Sequence, residues 1–206
     1  MSVRKDYGTL PFDILLRRRN QEGKPLKTKI FVLMLLIVVA IVPLVAQTRG
    51  VVVTSATGKA VVFDADTDTV TGSVAIGAPG GSSGDCSITL NQAFAFVTNF
   101  TGNVVAVQLS PPALAGPPNP IPISNHGEDT SLSPNGNHLV VCDGSDTQPI
   151  SVIDVASRVQ LSAVGSGSPD CNSVDVSNTG SVLVTSANTG VVRRLTIDAF
   201  GGDKHR

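Results

Sequence analysis

Residues 94 to 109 read FAFVTNFTGNVVAVQL, and the way this stretch divides decides the fold. β-Branched and aromatic residues, which suit a pleated and half-buried surface, fill Phe94 to Asn99 and again Asn103 to Leu109. The break between them carries Thr101 and Gly102, so the pattern predicts two short strands joined by a tight turn. Similar units stand at Val51 to Asp64 (VVVTSATGKAVVFD), at Leu139 to Asp154 (LVVCDGSDTQPISVID) and at Val182 to Asp198 (VLVTSANTGVVRRLTID).

The copies are evenly placed. Thr54, Thr98, Cys142 and Thr185, the residues that end each first strand, stand 44, 44 and 43 residues apart. A second marker is an aspartate that opens another short apolar run, in GDCSITLN, EDTSLSPNG and PDCNSVDVSNTG; it places Asp85, Asp129 and Asp170 at steps of 44 and 41 residues. A period of about 40 to 50 residues with four strands in each unit is the signature of a β-propeller blade. Units rich in Val, Thr, Ser and Gly, with no 3.6-residue apolar stripe, exclude helical repeats of the same length.

The consensus resembles the YVTN-repeat family of β-propellers, which includes lactonase-like and surface-layer propellers. Phe96-Val97-Thr98-Asn99 matches the name motif with Phe for Tyr, and Ser151-Val152-Ile153-Asp154 looks like the strand that follows. Gly165 to Asp170 (GSGSPD) resembles the loop into the next blade, and Ser133-Pro134-Asn135-Gly136 resembles the family's inner hairpin turn with Asn in place of Asp. The resemblance covers residues 50 to 198. The chain has no Trp and no GH…WD pair, which weighs against WD40 repeats.

Charge divides the chain in two. Residues 1–29 hold eight basic and three acidic side chains, whereas everything after residue 46 holds seven basic and thirteen acidic ones. Between them Ile30 to Ala46 (IFVLMLLIVVAIVPLVA) carries no charge and is just long enough to cross a hydrocarbon core as a helix. The expected domains are a basic cytoplasmic segment (1–29), a signal peptide or membrane anchor helix (30–46), β-propeller repeats (50–198) and a polar tail (199–206). The basic flank predicts export of the repeats to the periplasm or the extracellular space, with a membrane attachment through residues 30–46 if the leader is retained. Cleavage is left open, because Leu44-Val45-Ala46 resembles a signal-peptidase site except for the large Leu44.

Strands are expected at about 50–55, 59–65 and 69–76; at 84–90, 93–99, 103–109 and 120–124; at 127–133, 137–142, 149–155 and 158–164; and at 170–176, 180–186 and 190–198. The resemblance implies that the aspartate-led strand is the innermost of each blade. On that basis the fold class is all-β, a partial β-propeller of about three and a half four-stranded blades preceded by one N-terminal hydrophobic helix. An open arc leaves strand edges and blade faces in water, so the expectation is a piece of a longer propeller, with self-association through open blade edges as an alternative. Leu109 to Pro120 (LSPPALAGPPNP) holds five of the thirteen prolines and reads as an extended surface loop.

The resemblance also implies that residues opening the innermost strands gather at one mouth of the central channel. Asp85, Asp129, Asp170 and His126 are therefore the candidate ligand-binding residues there, with Glu128, Cys86 and Cys171 close by. Carboxylates in a cluster suit a hard cation. The competing expectation is that each aspartate caps its own turn through backbone N–H groups. Cys86 and Cys171 take matching positions two blades apart, beyond disulfide reach, so no intrachain bridge is expected. No nucleophile, acid–base pair or metal set stands out, and no cofactor is implied; whether a metal binds is left open. An acidic body with few aromatics argues against nucleic acid. The expected function is an exported binding or scaffolding repeat protein with an unknown ligand or protein partner. The alternatives are part of a lactonase-like hydrolase, with the three aspartates as the residues to test, or a non-functional remnant.

Overall fold

A computed structural model of the chain describes residues 47–77, 83–99, 101–123, 126–142, 150–164, 171–186 and 189–196. These residues form four antiparallel sheets, and no helix occurs among them. The helix expected over residues 30–46 lies outside the described residues, as do both terminal segments. The first sheet is β1 (Arg49–Thr54), β2 (Lys59–Asp64) and β3 (Thr69–Ala75) in that order. The second is β4 (Ser83–Ile88), β5 (Phe94–Asn99) and β6 (Asn103–Leu109), with β7 (Pro112–Leu114) and β8 (Ile121–Pro122) both paired to β6. The third is β9 (Asp129–Leu132), β10 (His138–Cys142), β11 (Ile150–Asp154) and β12 (Val159–Val164). The fourth is β13 (Ser173–Val176), β14 (Ser181–Ser186) and β15 (Val191–Thr196).

Alternation along each strand sends side chains to two different interfaces. On β5, Ala95 and Val97 join Ala60, Val62 and Val74 of the first sheet, while Phe96 points the other way to Leu139, Val141 and Ile153 of the third. On β10, Leu139 and Val141 face the second sheet, and Val140 and Cys142 face Val174, Val182 and Val184 of the fourth. The core is thus three apolar layers, one between each successive pair of sheets. That arrangement explains why the second and third sheets read as nearly continuous apolar runs.

In the second, third and fourth sheets the hairpin between the first and second strands repeats with the sequence. Gln92, Gly136 and Gly180 occupy its left-handed position, with φ of 55°, 71° and 78°, and they stand 44 residues apart. Glycine takes that conformation without a Cβ penalty, whereas Gln92 is held there by the surrounding turn. The Asn91 carboxamide accepts a hydrogen bond from Ala93 N at 3.0 Å, and Gln92 N donates to Thr89 O at 2.8 Å.

Strand register corrects three of the sequence alignments. The hairpin closing pairs are Thr54↔Lys59 and Asn99↔Asn103, with four residues in the first loop and three in the second, so Val53 and not Thr54 takes the place of Thr98. Cys142 pairs with Asp129 and Thr185 with Ser173, so Ser173 and not Asp170 stands at the position of Asp129. Asp170 itself lies outside the described residues. Cys86 pairs with Val97 on β5, the place that Thr130 holds on β9 and Val174 on β13, so Cys86 and Cys171 do not match.

Two further expectations are overturned. The proline-rich stretch is not a plain surface loop: Pro112–Leu114 pairs with β6 in the register Val107↔Leu114 and Leu109↔Pro112. Pro112 opens the strand, where its missing N–H is tolerated. Between β7 and β8 the side chain of Asn119 does the work of a strand. Its Oδ1 accepts from Ala106 N at 2.9 Å, and its Nδ2 donates to Ala106 O at 2.9 Å and to Ala115 O at 3.1 Å. Second, an intrachain disulfide does form, between Cys142 and Cys171 with Cα atoms 5.3 Å apart. The partners sit on adjacent sheets, Cys142 at the end of β10 and Cys171 just ahead of β13. Cys86 is left as the free thiol.

Candidate functional site

The innermost strands β4, β9 and β13 carry short polar side chains where they lie next to one another. β4 bulges between Ser83 and Cys86 to place Asp85, whose backbone N–H donates to Thr98 Oγ1 at 2.9 Å and whose carbonyl accepts from it at 3.2 Å. The Asp85 carboxylate accepts from Thr130 Oγ1 on the next sheet at 3.3 Å, and Ser87 Oγ lies 2.8 Å from the same Thr130 hydroxyl. One sheet further on the scheme repeats with stronger bonds. Asp129 Oδ2 accepts from Ser173 Oγ at 2.6 Å and from Val174 N at 2.8 Å, and its Oδ1 accepts from Thr130 N at 2.9 Å. Ser131 Oγ accepts from Val176 N at 3.1 Å and donates to Asp175 Oδ1 at 3.3 Å.

Burial pushes the Asp85 carboxyl above its ordinary range; the Cys86 N–H pulls it back, and the neighbouring Asp129 carboxylate adds to the rise. The Cys86 thiol, half-buried and beside Asp85, is pushed up to about 11, which leaves too little thiolate near neutral pH for nucleophilic work. His126 Nε2 lies 3.1 Å from Glu128 Oε1, and Glu128 Oε2 accepts from Asn172 Nδ2 at 3.0 Å. Among the described residues no group of three or more His, Cys, Asp or Glu side chains is gathered closely enough to hold a metal ion.

At the other end of the strands, a groove of about 790 Å³ opens between the turns of the second and third sheets. Leu90, Phe94, Asn137, His138, Asp154 and Arg158 are among its walls. The Arg158 guanidinium lies 5.7 Å from the centre of the Phe94 ring and donates to Gly116 O at 2.7 Å and Pro117 O at 3.3 Å. Asp154 Oδ1 accepts from Ser157 N and Ser157 Oγ, both at 2.6 Å, and these donors hold its carboxyl below the ordinary range. The sequence reading did not single out this groove. Its one legible signal was the turn Asp154-Val155-Ala156-Ser157, which repeats Asp64-Ala65-Asp66-Thr67, where buried Asp64 accepts from Asp66 N and Thr67 N.

No protein-family model matches the chain, and no curated protein matches it by sequence. Its architecture, in contrast, recurs among solved structures. A functionally unknown protein from Desulfotomaculum acetoxidans is similar over 76% of this chain and 49% of its own, at 21% identity and a TM-score of 0.64. The WD40 β-propeller domain of Doa1 is similar over 73% of this chain and 47% of its own, at 14% identity and a TM-score of 0.58. Dihydro-heme d1 dehydrogenase NirN, in complex with DHE, covers 77% of this chain with 35% of its own, at 11% identity and a TM-score of 0.60. The chain has a β-propeller fold.

Its four sheets are propeller blades, and the chain spans between about a third and a half of the length of these structures. At this identity the likeness is one of fold. Within the blades, Asp85 and Asp129 come to neighbouring innermost strands, each with its carboxylate bonded to the next blade. His126 is carried alongside by its pairing with Glu128. The two aspartates bond backbone N–H groups, and they also staple one blade to the next.

Proposed function

We propose that this chain is an exported β-propeller module with a binding or scaffolding role, in which blade ends and loops meet a ligand or protein partner. The observation that carries the reading is the use made of the innermost polar side chains. Asp129 accepts three hydrogen bonds, two of them from the adjacent blade, which is the behaviour of a structural strut. A lactone hydrolase would need such a carboxylate turned to substrate or metal. The groove between the second and third blades has the volume of a small-ligand site and combines an apolar wall with polar groups, so it is the place where we expect a ligand.

Export is supported by the Cys142–Cys171 disulfide, because such bonds persist in oxidising compartments and are rare where glutathione keeps thiols reduced. It agrees with a leader in which residues 1–29 stay in the cytoplasm and residues 30–46 cross the membrane or are removed. The test is hydrolysis of sugar lactones by the purified chain and by its Asp85→Ala and Asp129→Ala variants. We expect the wild type to match the variants at the uncatalysed rate. Turnover by wild type that disappears in a variant with an unchanged circular dichroism spectrum would replace binding by catalysis.

A further inference from the structure

We propose that the outer face of the fourth blade docks on the outer face of the first blade of a second copy, so that two four-bladed chains close one ring. The inference is independent of the ligand reading and rests on residue-for-residue equivalence with the interfaces already inside the chain. The face that the second blade turns to the third carries Phe96, Thr98, Val104 and Ala106. The face that the third turns to the fourth carries Val140, Cys142, Ile150 and Val152. Register places Leu183, Thr185, Val192 and Arg194 at the same four positions of the fourth blade, where Thr185 is half-buried and the Arg194 guanidinium donates to Ser181 Oγ at 2.8 Å. Leu183 is 43% exposed and Val192 67% exposed.

The receiving side repeats in the same way. Ala95, Val97, Val105 and Val107 receive the first blade, and Leu139, Val141, Ser151 and Ile153 receive the second. Their counterparts on the first blade are Gly50, Val52, Val61 and Phe63. A Cβ on Gly50 would stand 2.1 Å from the Phe63 ring, so the ring lies across the glycine and makes one apolar plate with Val52, which is 51% exposed. Each copy therefore owns one donating face and one receiving face. Faces of unlike kind pair head to tail, and two such contacts related by a two-fold axis close instead of growing into a filament. A second copy is the fitting occupant because it carries the receiving plate of Val52, Val61 and Phe63, a partner that the donating face lacks within the described residues, and four blades added to four stay within the usual ring size.

The test uses the full chain in detergent solution. Sedimentation equilibrium of wild type should give two copies, and Leu183→Asp and Val52→Asp should each weaken self-association at least tenfold without changing the circular dichroism spectrum. Mixing the two variants is the discriminating arm. Each retains the face that the other has lost, so differently tagged Leu183→Asp and Val52→Asp chains should co-purify as a pair although neither pairs with itself. A monomeric wild type, as expected if further blades of a longer chain cover these faces, overturns the proposal. So does a mixture that stays unpaired, or an assembly of any other size.

Discussion

β5 and β14, FAFVTN and SVLVTS, share the Val-Thr pair and the same apolar alternation, and they hold the same place in their blades. β5 is buried on both faces, because blades stand on either side of it. β14 buries Val182 and Val184 toward the third blade and leaves Leu183 largely open, although Phe96 at the matching position of β5 is fully buried. The strand is specified by its own residues, whereas the value of each side chain depends on whether a neighbouring blade is there to meet it.

That contrast can be broken most forcefully at Phe96. Phe96→Ala empties a closed interface and should cost about 3–5 kcal/mol in urea unfolding, while Leu183→Ala at the matching outer position should stay within about 0.5 kcal/mol in a monomeric preparation. Equal losses at the two sites would mean that the fourth blade's outer face is covered. Next comes the link between the third and fourth blades. Replacing Cys142 and Cys171 together by Ser opens a crosslink spanning 29 residues and should cost about 3 kcal/mol in non-reducing unfolding. No loss would mean that the fourth blade is held by packing alone.

A smaller effect is expected from the struts. Asp129→Ala removes the acceptor of Ser173 Oγ and Val174 N and should cost about 2 kcal/mol, with protection of Val174 N–H from hydrogen exchange falling alongside. The mildest comparison is between two aspartates whose surroundings act oppositely. Asp85 has a folded-state carboxyl raised by burial, so the folded chain binds the extra proton and stability declines as pH rises from the ordinary aspartate value through the raised one. Asp154 is lowered by its Ser157 donors, so its contribution is present above the ordinary value and is lost as pH falls through the lowered one. Asp85→Asn should flatten the first slope and Asp154→Asn the second, measured by urea unfolding across the acidic range. A slope unchanged by either variant would show that the group does not titrate with folding.

Much of the fold was legible because strands and turns are local. Alternating Val, Phe and Thr between Gly-containing breaks marked the strands to within a few residues, and the 44-residue step of Gln92, Gly136 and Gly180 is the same period seen in backbone form. The site was less legible. Asp85 and Asp129 were found as equivalents, but the third aspartate was aligned by residue type, and register puts Ser173 in its place. The groove walled by Phe94 and Arg158 left only the Asp154 turn as a signal, since its lining comes from turns of two different blades.

The sequence alone determined that this chain is a run of β units at near-constant spacing, because strand propensity and turn chemistry act over a few neighbouring residues. Only the tertiary structure decided that Cys142 meets Cys171, that Pro112–Leu114 joins the ladder, and that the innermost aspartates reach the following blade. Each of those depends on the register and stacking of strands that lie far apart in the chain or in different blades, and a slip of one residue turns every side chain to the opposite face.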